Sequence, residues 1–182
     1  EKGLKTMFTD KKFGSACDKI SIEECLVGEE VSVFAICDGE NYKIIGDAQD
    51  HKRIFDGDRG PNTGGMGAYS PTSLCTAELL SKVENNIIKP TLRGMHDLRH
   101  PYVGFLYVGL MIVEDNPFVI EFNVRIGDPE TQVVIPRIES SLYEMFEGAI
   151  NGEIDKVDID FSLDTFVTVV LASKGYPEKY KI

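Results

Sequence analysis

Positive charge is scarce in this sequence: 19 Lys and Arg stand against 30 Asp and Glu, for a net charge of −11. That balance excludes non-specific nucleic-acid binding, which needs a basic surface. It suits a protein that takes anions only where cations are placed locally. Long apolar runs are lacking too. No stretch approaches the roughly 20 apolar residues of a membrane helix, and EKGLKTMFTDKKFG at the start has no signal-peptide core. Cysteine pairing is absent as well: Cys17, Cys25, Cys37 and Cys75 form no C-x-x-C motif. Cys25 and Cys37 fall in apolar, strand-like runs and read as buried free thiols of a reducing cytosol. His51, His96 and His100 are too scattered for a zinc site by spacing alone. These absences predict a cytoplasmic protein without nucleic-acid or membrane partners.

What is present is ordinary for a globular core: 42% hydrophobic residues in a chain of 182, a length for one domain or slightly more. Residues 1–19 read as a helix tail and a loop, and KISIEECLV (19–27) as a strand. VSVFAICDG (31–39) and NYKIIGDAQ (41–49) read as two strands joined at Asp38-Gly39, a strong hairpin signal. Residues 50–73 form a polar segment rich in Gly, Asp and Pro, too long for an ordinary connection. A helix is predicted over 76–98, with Leu79, Leu80, Val83, Ile87 and Ile88 on one side and a kink or restart at Pro90. GFLYVGLMIV (104–113) is a continuous apolar strand, Glu114–Pro117 a turn, and FVIEFNV the antiparallel return. Residues 140–153 read as a helix with a Ser N-cap and Glu144 in its first turn, and 164–175 as a last β-branched strand. The order predicts an α+β fold around a mostly antiparallel sheet flanked by helices.

EFNVRIGDPETQ (121–132) concentrates the chemistry. In an extended strand Glu121, Asn123 and Arg125 share a face. Two hard oxygen ligands beside one fixed cation suit a Mg²⁺ ion carrying phosphate oxygens. The strand is otherwise apolar, so that face is expected to be buried and satisfied by a ligand.

QDHKRIFDGDRGPNTGGMGAY (49–69) is the second strong feature. Glycines such as Gly64 and Gly65 let backbone N–H groups turn toward an anion. Lys52, Arg53 and Arg59 supply local positive charge. The bland alternative is a solvated loop whose glycines only make turns. A third feature, IEECLVGEE (22–30), offers backbone groups to a flat base and a carboxylate to ribose hydroxyls; taken alone, its acids read as surface charge.

ECLVGEE, QDHKR, GPNTGGMGAY, GFLYVGLM and EFNVRIGDPETQ, in this order, resemble the phosphoribosylamine–glycine ligase (glycinamide ribonucleotide synthetase) family of the ATP-grasp superfamily. The resemblance spans about residues 13–180. GPNTGGMGAY and RIGDPETQ are specific to that family, whereas the E-x-N pair is shared more widely. It implies that Glu23, Glu24, Cys25 and Leu26 form the hinge that reads adenine. It makes Glu30, rather than Glu29, the ribose carboxylate, and Arg53 and Asn62 nucleotide or phosphate contacts. Glu121 and Asn123 are the implied ligands of Mg²⁺ or Mn²⁺. Arg125 and Asp128 are the implied catalytic residues. They belong with Gly127 and Pro129 to the acceptor and acyl-phosphate site, with Asp50, Gly64 and Gly65 as further substrate contacts. Cys25 stands where an aromatic or aliphatic residue is common, and Val124 where a Cys is common; neither touches a backbone-mediated contact or the E-x-N face.

The reaction implied joins glycine to 5-phosphoribosylamine through glycyl phosphate, with ATP giving ADP and phosphate. The family pattern also implies further segments on both sides, including a lobe with a glycine-rich loop and a phosphate-binding lysine. The expectation is therefore a fragment, unable to complete catalysis alone: an ATP-grasp domain over 1–160, incomplete at its N-terminal side, and the start of a C-terminal domain over 161–182. Fusion to other purine-pathway domains is left open. The competing readings are another ATP-grasp carboxylate–amine ligase and a non-catalytic nucleotide-binding module.

Overall fold

The computed structural model describes residues 2–178; the last four residues of the 161–182 segment lie outside that range. Its strands are β1 (Glu29–Asp38), β2 (Tyr42–Asp50), β3 (Arg53–Phe55), β4 (Arg59–Asn62), β5 (Gly67–Ser70), β6 (Val103–Val113), β7 (Asn116–Asn123) and β8 (Phe166–Val169). Six of them form one sheet in the order β7-β6-β1-β2-β5-β8, and β3 and β4 form a separate hairpin. Every pairing is antiparallel.

The continuous apolar runs of β1 and β6 follow from burial on both faces. Val31, Val33, Ala35 and Cys37, with Leu106, Val108 and Leu110, pack under Val83, Ile87, Ile88 and Leu92. The alternate residues Phe34, Ile36 and Tyr107 face Val133, Val134, Met145 and Ala149. The first layer is helical from α2 (Ala77–Val83) to α3 (Lys89–Asp97), with Thr76 Oγ1 accepting the Leu79 N–H as N-cap. A wide π turn at Glu84–Ile88 sits just ahead of Pro90. It accommodates the missing N–H and the ring there, so the expected kink is a local widening. The second layer is α4 (Thr131–Val134) and α5 (Leu142–Asn151), the latter capped by Ser141 as expected.

The β1–β2 hairpin forms at Asp38-Gly39, with Asp38 Oδ1 accepting from the Glu40 and Asn41 amides. Four expectations need correction. Residues 19–27 form no strand: no sheet neighbour reaches them, and Ile22, Cys25 and Val27 are exposed, so Cys25 is not a buried thiol, unlike Cys17 and Cys37. The 50–73 segment is not one long loop, because β3, β4 and β5 lie within it. The last strand is four residues long, and it pairs with β5 in the main sheet. Finally, β7 is an edge strand and not a buried one: Phe118, Ile120 and Phe122 are 45%, 42% and 44% exposed, with a strand neighbour on the β6 side alone. Among the described residues no helix is long and apolar enough to cross a membrane.

Candidate functional site

Antiparallel pairing brings distant segments to one cavity. The β6–β7 register sets Glu121 opposite Gly109 and Asn123 opposite Tyr107. Glu121 and Asn123 lie side by side, Asn123 Nδ2 donating to Glu121 Oε1 at 3.1 Å. β7 ends there, so Arg125 is not on the strand, yet it lines the same cavity of about 280 Å³ together with Asp50, Gly64, Gly127 and Asp128. Pro129 abuts Gly65, where an added Cβ would collide with its ring. The GPNTGG loop is therefore seated against the Gly127–Pro129 turn.

That loop is tied down locally. Thr63 donates to the Lys52 carbonyl from its amide at 2.7 Å and its hydroxyl at 2.8 Å, and Gly65 N donates to Thr63 Oγ1 at 3.0 Å. Met66 N donates to the His51 carbonyl at 2.8 Å. Asp128 is held by Gln132, whose Nε2 donates to Oδ1 at 2.6 Å. The two specific sequence stretches, far apart in the chain, thus form one wall.

Four lining residues had no assigned site role: Tyr107, Ile126, Glu130 and Lys52, the last expected only as local positive charge. Lys52 Nζ lies 2.6 Å from Glu30 Oε2. Its burial pulls the ammonium down, but the hydrogen bond to Glu30 and the charges of Asp50 and Glu30 outweigh that and raise it above the ordinary lysine value. Asp50 and Glu130 are raised above ordinary carboxylates, chiefly by burial. Glu130 is 4% exposed. The Tyr107 hydroxyl donates to Glu130 Oε1 at 3.3 Å and accepts from Ser32 Oγ at 2.7 Å. Burial pushes the Tyr107 phenol up to about 12. The signal for Lys52 was its spacing from Asp50; for Tyr107 it was one hydroxyl in an apolar strand.

The expected nucleotide contacts are not gathered at this cavity. Glu30 joins its rim through Lys52. Glu23, Glu24 and Cys25 lie on the exposed segment before β1, with Leu26 half-buried. Arg53 and Asn62 face each other across β3 and β4, both exposed, with Arg53 Nη1 donating to the Gly60 carbonyl at 2.6 Å. Glu121 and Asn123 fit a hard divalent cation by donor type. No group of three or more His, Cys, Asp or Glu converges as a metal site among the described residues, so such a cation needs further oxygen ligands from elsewhere.

A sequence profile described as phosphoribosylglycinamide synthetase, ATP-grasp (A) domain, matches residues 1–131. The chain belongs to this family. It is 49% identical to phosphoribosylamine–glycine ligase of Chlorobaculum tepidum over 174 residues, covering 96% of this chain and 41% of that protein. It is 48% identical to the bifunctional purine biosynthetic protein PUR2,5 of Pichia angusta, covering 98% of this chain and 23% of that protein. The crystal structure of phosphoribosylamine–glycine ligase from Thermotoga maritima superposes with a TM-score of 0.73 at 37% identity, over 87% of this chain and 40% of that one. The chain thus spans well under two thirds of these relatives. A biotin carboxylase domain of a thermophilic 2-oxoglutarate carboxylase, at 14% identity and a TM-score of 0.58, shares the ATP-grasp fold alone.

Proposed function

We propose that this chain is part of a phosphoribosylamine–glycine ligase, which joins glycine to 5-phosphoribosylamine at the expense of ATP. The supporting observation is the cavity where Glu121 and Asn123 stand beside Arg125, with the GPNTGG loop and the Gly127–Pro129 turn as its wall. No protein nucleophile is needed; such a site works by positioning and charge neutralisation. Arg125 steadies the carboxylate or the transferring phosphoryl group, using a planar fork of donors. The Gly64 and Gly65 amides are already used by the Tyr176 hydroxyl and Thr63 Oγ1, so the Gly64-Gly65 stretch serves as a shaped wall against the substrate. Asp128, held by Gln132, and Asp50 position the amine acceptor. A Mg²⁺ or Mn²⁺ ion on Glu121 and Asn123 offsets phosphate charge when bound.

For the nucleotide, Glu30 is proposed to reach the ribose, Glu23–Leu26 the adenine, and Arg53 and Asn62 the phosphates. We keep the division into an ATP-grasp domain over 1–160 and a following segment over 161–182 as part of this proposal. A cytoplasmic location goes with it. The bifunctional relative leaves room for a fused natural chain.

ADP release by the longest natural form of this chain tests the reading, with glycine or 5-phosphoribosylamine left out in turn. The expected result is ADP only when both are present. ADP with another acid–amine pair would retain the ATP-grasp chemistry and discard these substrates; no ADP with any pair would favour a non-catalytic nucleotide-binding module.

A further inference from the structure

A cavity larger than the one at Glu121 lies elsewhere. It has a volume of about 700 Å³ and opens at the β1–β2 hairpin tip, beside α3. Its lining overlaps none of the residues of the cavity at Glu121. β2 links the two: Lys43 is at the end near the hairpin and Asp50 at the other. Seven residues of strand at about 3.3 Å each put ~23 Å between their backbones.

The lining is chemically divided. Lys89, Arg93 and His96 lie at i, i+4 and i+7 of α3, one stripe of a helix, and Lys43 faces them from β2. Lys43, Lys89 and Arg93 enter no ion pair among the described residues. Lys89 Nζ instead meets the neutral Asn85 Oδ1 at 2.7 Å. In a chain of net charge −11, these three cations, none of them in an ion pair, bring the charge of this concavity to balance against its three carboxylates. Buried Leu92 contributes an apolar patch to the lining. The remaining polar lining includes Glu40, Glu84 and Asp155, of which Glu84 accepts from the Tyr42 hydroxyl at 3.3 Å. Ligand cavities of this size combine an apolar wall with a few convergent polar groups.

We propose that this cavity binds a small phosphate ester, with its phosphate between Lys43, Lys89 and Arg93 and its hydroxyl groups on the carboxylates Glu40, Glu84 and Asp155. Guanidinium and ammonium donors suit phosphate oxygens, and carboxylates accept from hydroxyls. The acids also select against a ligand that is anionic throughout, since its second anionic end would face them. The proposal is independent of the ligase reading, because no residue is shared.

The test is calorimetric titration of the longest natural form of this chain with glycerol 3-phosphate, and separately with inorganic phosphate. The expected result is saturable binding of glycerol 3-phosphate, weaker binding of inorganic phosphate, and a loss of about tenfold or more in affinity in the Lys43→Ala/Arg93→Ala double variant. Glu121→Gln should leave the titration unchanged. No binding up to about 10 mM, well beyond the range of a specific small-molecule site, would overturn the proposal. Equal affinity for inorganic phosphate would do the same, since the carboxylates would then contribute nothing. Binding that survives the double variant but disappears in Arg125→Ala would place the ester at the other cavity, again overturning it. Thermal melts confirm folding of the variants; Arg93→Gln, at an exposed position, serves if the double variant does not fold.

Discussion

Lys52 Nζ and Glu30 Oε2, 22 residues apart in the chain, meet at 2.6 Å. They meet because β1 and β2 are antiparallel neighbours, with Ser32 opposite Ala48, so the start of one strand lies beside the end of the other. Lys52 also stands against the charges of Asp50 and Glu130. One cation therefore holds several carboxylates at the rim of the cavity.

Lys52→Met should lower stability at neutral pH and cost less on mild acidification. The raised Lys52 pKa means that its contribution is complete at pH 7 and is lost only as pH rises through that value. Asp50 and Glu130 have raised folded pKa values, so each stabilises most when protonated and loses that contribution as pH rises through the raised value. Removing the cation raises both further. Urea midpoints of parent and variant at pH 7 and pH 5 check this; a gap that widens at pH 5 would contradict it.

Glu121→Gln should reduce turnover by about a hundredfold or more in the longest natural form, with the fold retained, because it removes a hard anionic ligand from an exposed edge strand. Steady-state rates across a Mg²⁺ titration measure the effect. Near-parental rates at low Mg²⁺ would remove Glu121 from the metal site.

Arg125→Lys keeps the charge but replaces a planar two-donor fork by a point charge, so kcat/KM should fall about tenfold or more. Unchanged kcat and unchanged KM for both substrates would show that Arg125 does not touch the reacting groups.

Gly65→Ala places a Cβ against the Pro129 ring at a backbone φ of +119°. The GPNTGG loop must then move away from the Gly127–Pro129 turn. Activity should drop by roughly a hundredfold, the scale of an ångström misplacement. The main sheet should survive, because the strain is confined to a loop. Circular dichroism and rates on the same preparation separate the two; equal activity would mean the wall is not needed.

Much of the fold was legible from pattern. Asp38-Gly39 marked the hairpin, residues 76–98 carried a helical period, and residues 104–113 read as a continuous apolar strand, each matched by an element of the structure. The Glu121-x-Asn123 pair and the Gly64-Gly65 loop were legible as chemistry, and the structure brings them to one cavity. Errors arose where a residue's setting depends on its neighbours. Residues 19–27 have strand composition but no partner strand, and a strand alone has no ladder to join. β7 has the composition of a buried strand but lies at the edge of the sheet, so its apolar residues stay open. Lys52, Tyr107 and Glu130 became site residues only because β1, β2, β6 and the turn before α4 converge.

Local composition and spacing, read alone, thus determined the β1–β2 hairpin, the helical stretch after Thr76, the β6–β7 pair and which residue types carry chemistry, because turn residues and periodicity act within a few positions of the chain. Strand order, the edge position of β7 and the company kept by Lys52 were decided only by the tertiary structure. Those depend on which faces find a partner to bury them, and burial is a property of the whole sheet and its two helical layers.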